Sequence, residues 1–313
     1  MRGASCATLV EMGVLEHPAS GRREPLASDL LVGRDPACFV RLSDARASGV
    51  HARLRWTGMA WAVRDLGSRN GTYLNRERLE GVDERVVPPG ATLDFGHTGE
   101  RWVLVNSAPP VALAMCLSTG ARIEASRELL ALPSEENPEV VVCYDGLGWQ
   151  VEQDAASRAV ADQEVVTVGA EPWRLFLPVV SESTRHTDDA LPDLACTEAF
   201  FRVSQDEEHV DLTFRWSGGE VYLEPRAHLY ALLTLARERA TPSDLPDGER
   251  GWLAVDRLAR MLGTDRKTLN VHLWRAREQV AKVGFLDANM LFERRHTSSQ
   301  IRIGLSQITI SRF

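Results

Sequence analysis

Gly67-Ser68-Arg69-Asn70-Gly71-Thr72, preceded by Gly33-Arg34 and Ser48-Gly49-Val50-His51 and followed by Gly96 and Trp102-Val103-Leu104-Val105, decides how the front of this 313-residue chain folds. Asn-Gly is a tight-turn pair, because both residues tolerate the left-handed conformation that short hairpin turns require. Outward from it, short apolar runs between Leu30 and Val105 alternate with clusters of Gly, Pro, Asn and Asp. That alternation predicts consecutive strands of an all-β sandwich over residues 1–108.

Further along, Val140-Val141-Val142, Trp149-Gln150-Val151 and Trp173-Arg174-Leu175-Phe176-Leu177 predict a second β-rich module over 109–180. Gly146-Leu147-Gly148-Trp149-Gln150-Val151 with the later Trp173 strand echoes Gly58-Met59-Ala60-Trp61-Ala62-Val63 with the Trp102 strand. The expectation is a degenerate second sandwich, since it has no counterpart of Gly33-Arg34, of Ser48 with His51, or of Asn70-Gly71. Polar, proline-containing residues predict a linker over 181–205. Residues 206–313 then change period. A hairpin turning at Gly218-Gly219 precedes three helices: one begun near Pro225 with Leu229, Leu232, Leu233 and Ala236 inward, one with Val255, Leu258, Ala259 and Leu262 ending at Gly263, and one with Leu269, Leu273, Ala276 and Val280 inward behind Thr264 or Asp265 as N-cap. A strand, polar turn and strand over Met290–Ile303 completes an α+β domain.

With 44% hydrophobic and 26% charged residues the chain has the composition of a folded protein, which excludes wholesale disorder. Five scattered cysteines without a CxxC pair predict neither a disulfide framework nor a zinc module and suit a reducing cytoplasm. No apolar run reaches the ~18–20 residues of a bilayer span, so no membrane partner is expected. The net charge of -8 is unevenly spread: residues 106–219 carry -13 and residues 220–313 carry +4. The basic tail calls for a partner of its own.

In their order and spacing, the four front elements resemble the forkhead-associated (FHA) domain, over roughly residues 10–105. The resemblance implies binding of a phosphothreonine peptide, with Arg34 and Ser48 on the phosphate, and Arg69 and Asn70 facing the peptide. Gly33, His51, Gly71 and Thr72 would support that site, His51 from inside as a hydrogen-bonded prop for the Ser48 loop. The chemistry fits: a phosphothreonine carries about -1.5 to -2 charges, a guanidinium offers bidentate, permanently charged donation, and a hydroxyl adds a neutral donor. The family commonly has a basic residue directly after the serine, where this chain has Gly49; Arg46 or Arg69 are the candidates to replace it.

The C-terminal order of hairpin, three helices and hairpin resembles the winged helix-turn-helix output domain of bacterial response regulators, with Leu223-Glu224-Pro225-Arg226 and Thr268–Arg277 carrying the likeness. The resemblance implies a third helix in the DNA major groove and a final hairpin, the wing, beside it. The apolar stripe of that helix leaves Arg266, Lys267, Asn270, Trp274, Arg275 and Arg277, with Thr268, for an exposed basic surface. Arg294, Arg295, His296 and Thr297 are the wing candidates.

No P-loop, dinucleotide fingerprint, HExxH, GxSxG, kinase loop set or His/Cys cluster occurs, so no enzyme, metal or cofactor is expected. The expectation is a bacterial cytoplasmic signalling regulator whose FHA domain binds a phosphothreonine-containing protein, a serine/threonine kinase or its substrate, and whose winged helix binds double-stranded DNA to control transcription. The alternative is an adaptor whose third helix and Trp274 contact protein instead. A further expectation is that the acidic middle partly covers the basic tail until a phosphopeptide engages the front. Oligomeric state is left open by the sequence.

Overall fold

The computed structural model describes residues 12–80, 83–96, 100–126, 128–153, 156–179, 192–285, 287–295 and 298–313. The front region is a sandwich of two sheets. One has the strand order Arg22–Pro25, Val14–His17, Arg101–Asn106, Thr92–Phe95, Thr72–Leu74, Glu77–Arg78. The other runs Val40–Arg41, Asp29–Gly33, Ala52–Trp56, Trp61–Asp65, Arg85–Val86. Inward-facing Leu15, Leu30, Leu54, Val63, Leu93 and Trp102 are buried between them. The period-2 pattern thus places one face of each strand in the core and the turns at the rims.

The middle region repeats this plan in reduced form. Its first sheet has the order Arg122–Glu124, Leu113–Cys116, Glu171–Phe176, Val165–Val168, and its second Leu129–Leu132, Val140–Tyr144, Trp149–Gln153, Ala156–Ala159. Each strand takes the place of its front counterpart in chain order and sheet position. Among the described residues, nothing corresponds to the front strands Val40–Arg41, Thr72–Leu74 and Glu77–Arg78, which border the loops of the candidate site. All four side chains of Leu129–Leu132 are buried, as are four of the five in Val140–Tyr144. A strand covered on both faces reads as a continuous apolar run.

In the C-terminal region a four-stranded sheet, Gly219–Leu223, Val210–Trp216, Glu198–Val203, Gln307–Arg312, backs three helices. These are α1 (Leu229–Ala240), α2 (Val255–Met261) and α3 (Arg266–Lys282), followed by wing strands Phe292–Arg294 and Gln300–Ile303. Phe201, Phe214, Leu232, Leu258, Leu273 and Phe285 lie in one shared core. Asp265 caps α3, its Oδ1 accepting from the Thr268 N–H at 2.7 Å, and Gly263, at φ 63°, lets the chain turn out of α2.

Three local expectations shift, and one pairing was not foreseen. The hairpin turns at Ser217-Gly218, since Trp216 pairs with Gly219. Helix α1 starts at Leu229, not at Pro225. Of the linker expected over 181–205, residues 181–191 lie outside the described residues, and Glu198–Val203 is a strand that buries Ala199, Phe201 and Val203 in alternation. The last strand, Gln307–Arg312, pairs in parallel with Glu198–Val203, Glu198 opposite Gln307 and Val203 opposite Arg312, a distant partnership that no local pattern announces. By compactness the chain divides into two units: the front sandwich, and the middle sandwich together with the C-terminal region.

Candidate functional site

At one rim of the front sandwich three loops meet. Strand Asp29–Gly33 ends where a Cβ on Gly33 would fall 2.0 Å from the Gly49 carbonyl oxygen, so only glycine allows the two backbones to touch. They are then zipped together, the Arg34 N–H donating to the Ser48 carbonyl (3.0 Å) and the Asp35 N–H to the Gly49 carbonyl (2.9 Å). The exposed Arg34 side chain is steadied by its Nε–H donating to the Ala47 carbonyl at 2.6 Å, which leaves the terminal nitrogens of the guanidinium for a ligand.

His51 is fully buried beneath this rim. Its Nδ1 accepts from the Ser48 N–H at 2.9 Å, which requires the proton to sit on Nε2, 3.2 Å from the Gly71 carbonyl it faces. Burial pushes the imidazole below its ordinary value, against the hydrogen bond to Gly71, and keeps the ring neutral. One side chain thereby fixes both the serine loop and the Asn-Gly loop. Ser48 Oγ accepts from the Arg69 N–H at 3.1 Å and retains its own proton to donate outward. Asn70 Nδ2 donates to the Arg46 carbonyl at 2.7 Å, so its Oδ1 stays available as an acceptor. Gly71 holds φ 81°, a left-handed turn against the Arg78 side chain.

Two residues absent from the sequence reading organise the rim. Asp65 Oδ2 accepts from the N–H groups of Gly67 (3.0 Å) and Ser68 (2.9 Å), and its Oδ1 from the hydroxyls of Ser68 and Thr72, both at 2.6 Å. Burial alone would raise this carboxyl, but those hydrogen bonds outweigh it and hold it below its ordinary value. The signal was present as Asp65-Leu66-Gly67-Ser68, an acidic residue able to bond the backbone two residues on. Buried Glu100 accepts from Ser43 Oγ at 2.7 Å and from the N–H groups of Ser43 and Asp44, anchoring the loop that leads to Ser48. At a separation of 57 residues it leaves no local signal.

The structure thus gathers Arg34, Ser48, Arg69 and Asn70 at one rim, with Gly33, His51, Gly71 and Thr72 behind them. It treats the expected DNA-contact set differently. Trp274 and Arg277, expected on an exposed face of α3, are buried. Trp274 packs with Leu129, Ala131, Val141 and Cys143 of the middle sandwich. Arg277 forms a bidentate pair with Glu152 at 2.7 and 2.8 Å, and Arg294 Nε of the wing lies 3.1 Å from the same carboxylate. The reason is a second apolar stripe on α3, Trp274 and Ala281, beside the one that faces its own core. Burial would raise Glu152, yet the two guanidinium groups pull it down to about 2.

Of the others, Arg266 is ion-paired with Asp256, and Lys267 Nζ is 3.8 Å from Glu139. Arg295 pairs with Glu249 and stacks 4.5 Å over Trp252. Thr268 and Arg275 are exposed and Asn270 is half-buried; His296 and Thr297 lie outside the described residues. Among the described residues no group of three or more His, Cys, Asp and Glu could hold a metal ion, and no helix is long and apolar enough to cross a membrane.

Comparison with known proteins bears on the front region. Residues 30–96 match the family model of the FHA domain. The FHA domain-containing protein FhaB of Mycolicibacterium smegmatis is 39% identical over 89 residues, 28% of this chain and 56% of that protein. FhaB of Mycobacterium tuberculosis is 40% identical over 86 residues, 27% of this chain and 54% of that protein. The chain therefore spans about half the length of the curated relatives it matches. The structure of Mycobacterium tuberculosis EmbR in complex with a low-affinity phosphopeptide aligns with 27% identity and a TM-score of 0.29 over 31% of this chain and 25% of that one. With two sheets joined in this order, a rim built on Gly33-Arg34, Ser48, His51 and Asn70-Gly71, and a family match that spans them, the front sandwich of this chain is an FHA domain.

Proposed function

We propose that the FHA domain captures a phosphothreonine-containing protein, a serine/threonine kinase or its substrate, and that the C-terminal winged helix contacts double-stranded DNA, which makes the chain a phosphothreonine-dependent regulator of transcription. The observation that carries the first half is the shared rim. The Arg34 backbone is bonded to Ser48, its Nε is anchored on Ala47, and Ser48 Oγ, which accepts from Arg69, keeps its proton as a donor. A fixed guanidinium beside a fixed hydroxyl donor matches a dianion and holds a neutral threonine hydroxyl far more weakly, without charge-assisted bonds.

The test is binding to a degenerate phosphothreonine peptide library and to its unphosphorylated twin. Arg34→Ala removes charge-assisted hydrogen bonds worth about 1.5–3 kcal/mol each, so phosphopeptide affinity should drop by about 10- to 100-fold and selectivity for phosphate should vanish. Unchanged selectivity refutes the assignment.

The second half rests on the helix order and on the basic residues of α3 and the wing. A second reading, an adaptor whose α3 engages protein, is favoured by Trp274 and Arg277, which already pack on protein side chains. Ionic strength separates the two, because duplex binding through phosphates weakens steeply with salt and an apolar protein contact does not.

A further inference from the structure

Sheet register explains how α3 is held. In the middle sandwich Leu129 pairs with Cys143, Ala131 with Val141, and Val141 with Glu152. Successive side chains alternate between faces, so Leu129, Ala131, Val141, Cys143 and Glu152 share the face turned away from the sandwich interior. On a free-standing sheet that face would be polar. Here it carries four apolar side chains beside Gln150, Ser157 and one carboxylate, and Trp274 fills the apolar part while Arg277 and Arg294 grip the carboxylate.

The grip is enclosed: the Glu152, Arg277 and Arg294 side chains are only 8%, 2% and 5% exposed. Two cations facing one anion leave an excess positive charge out of water. A buried ion pair contributes little net stability, yet loss of one partner strands the other and is strongly destabilising. Such a contact is specific and breakable at a single residue. It also occupies a defined surface. The core stripe of α3 is Leu269, Leu273, Ala276 and Val280, and at about 100° per residue Lys267, Asn270, Trp274, Arg277 and Ala281 form the adjoining outward face. That outward face and Arg294 of the wing hold five of the residues that the DNA-binding reading assigns to the duplex, Lys267, Asn270, Trp274, Arg277 and Arg294, while Thr268 and Arg275 on the remaining face stay exposed.

We infer that the middle sandwich is an intramolecular lid on the nucleic-acid face of the winged helix, and that it and duplex DNA compete for Trp274, Arg277 and Arg294. The inference rests on the DNA-binding reading and adds its regulation: in the closed chain Trp274, Arg277 and Arg294 are covered, and release of Glu152 uncovers them. The lid differs from the charge-wide cover expected from the sequence, since one carboxylate and a tryptophan socket make the contact.

The experiment uses the full chain in three forms, unmodified, Glu152→Gln and Ala131→Lys, each checked for native circular dichroism. Glu152→Gln removes the anion, and Ala131→Lys pushes a cation into the socket under Trp274, so the second variant opens the lid by another route. Amide hydrogen exchange over residues 266–282 reports opening, and anisotropy of labelled random-sequence duplex DNA at low salt reports binding. Both variants should raise exchange in α3 and bind duplex at least tenfold more tightly than the unmodified chain. Open variants that bind duplex no better overturn the lid but leave the DNA-binding reading standing. Salt-sensitive duplex binding absent from all three, with α3 open, overturns the DNA-binding reading and the competition with it. Unchanged exchange in both variants makes the contact a fixed interface and overturns the lid alone.

Discussion

Single atoms set the character of the rim of the front sandwich. Gly33 is irreplaceable because a methyl group there would overlap the Gly49 carbonyl, whereas a Cβ on Gly49 meets nothing within 4 Å and Gly49 is exposed. The residue after the serine is therefore free to change. Gly49→Arg should add one solvent-exposed charge contact to the phosphate, worth roughly 1 kcal/mol, or about fivefold in affinity for phosphothreonine peptides. A titration of labelled peptide into the variant checks this; weaker or equal binding means that the side chain at 49 points away from the phosphate. Arg34, Ser48, His51 and Asn70-Gly71 were picked out through the FHA resemblance, whose motifs are short local runs of sequence. Glu100 was not, because its task is to hold a loop 56 and 57 residues away.

Helix α3 illustrates how an element can carry two apolar stripes and be read for only one. The stripe at 269, 273, 276 and 280 was visible and is buried as expected. Trp274 and Arg277 looked like surface because helical periodicity locates a helix's own core and is silent about a second partner. The missing signal lay in the partner, where Leu129-Leu130-Ala131-Leu132 and Val140-Val141-Val142-Cys143 are apolar on both faces, a mark of strands covered twice. The pH response of the contact follows from Glu152, held near 2 by Arg277 and Arg294. A carboxyl depressed in the fold contributes stability above its unfolded value of about 4.3 and loses it as pH falls from there toward 2. Protection of α3, corrected for intrinsic exchange, should stay level from about pH 8 to pH 5 and decline only below about pH 4. A decline near pH 6.5 instead would point to a histidine, not Glu152, as the controlling group.

For the whole molecule the salt response of DNA binding measures how much of the basic surface is available. In the Glu152→Gln chain the log–log slope of duplex affinity against salt should steepen by about 1.8 relative to the unmodified chain, about 0.9 for each of Arg277 and Arg294 returned to phosphate contact. Equal slopes mean that neither arginine reaches DNA. Regional charge alone, -13 over residues 106–219 and +4 over 220–313, suggested that middle and tail belong together, and they do form one compact unit. It gave neither the residues nor the register. The sequence by itself determined the strand-rich front with its loop motifs, the β-rich middle, and the hairpin and helices of the tail. Each depends on contacts within a few residues or on the periodicity of a single element. Only the tertiary structure decided which face of α3 is open, that Glu198–Val203 is paired by the last strand, and that Glu152 sits between two arginines 125 and more residues away. Pairing across such distances is selected by total burial and charge compensation over the folded unit, quantities that no local window of sequence contains.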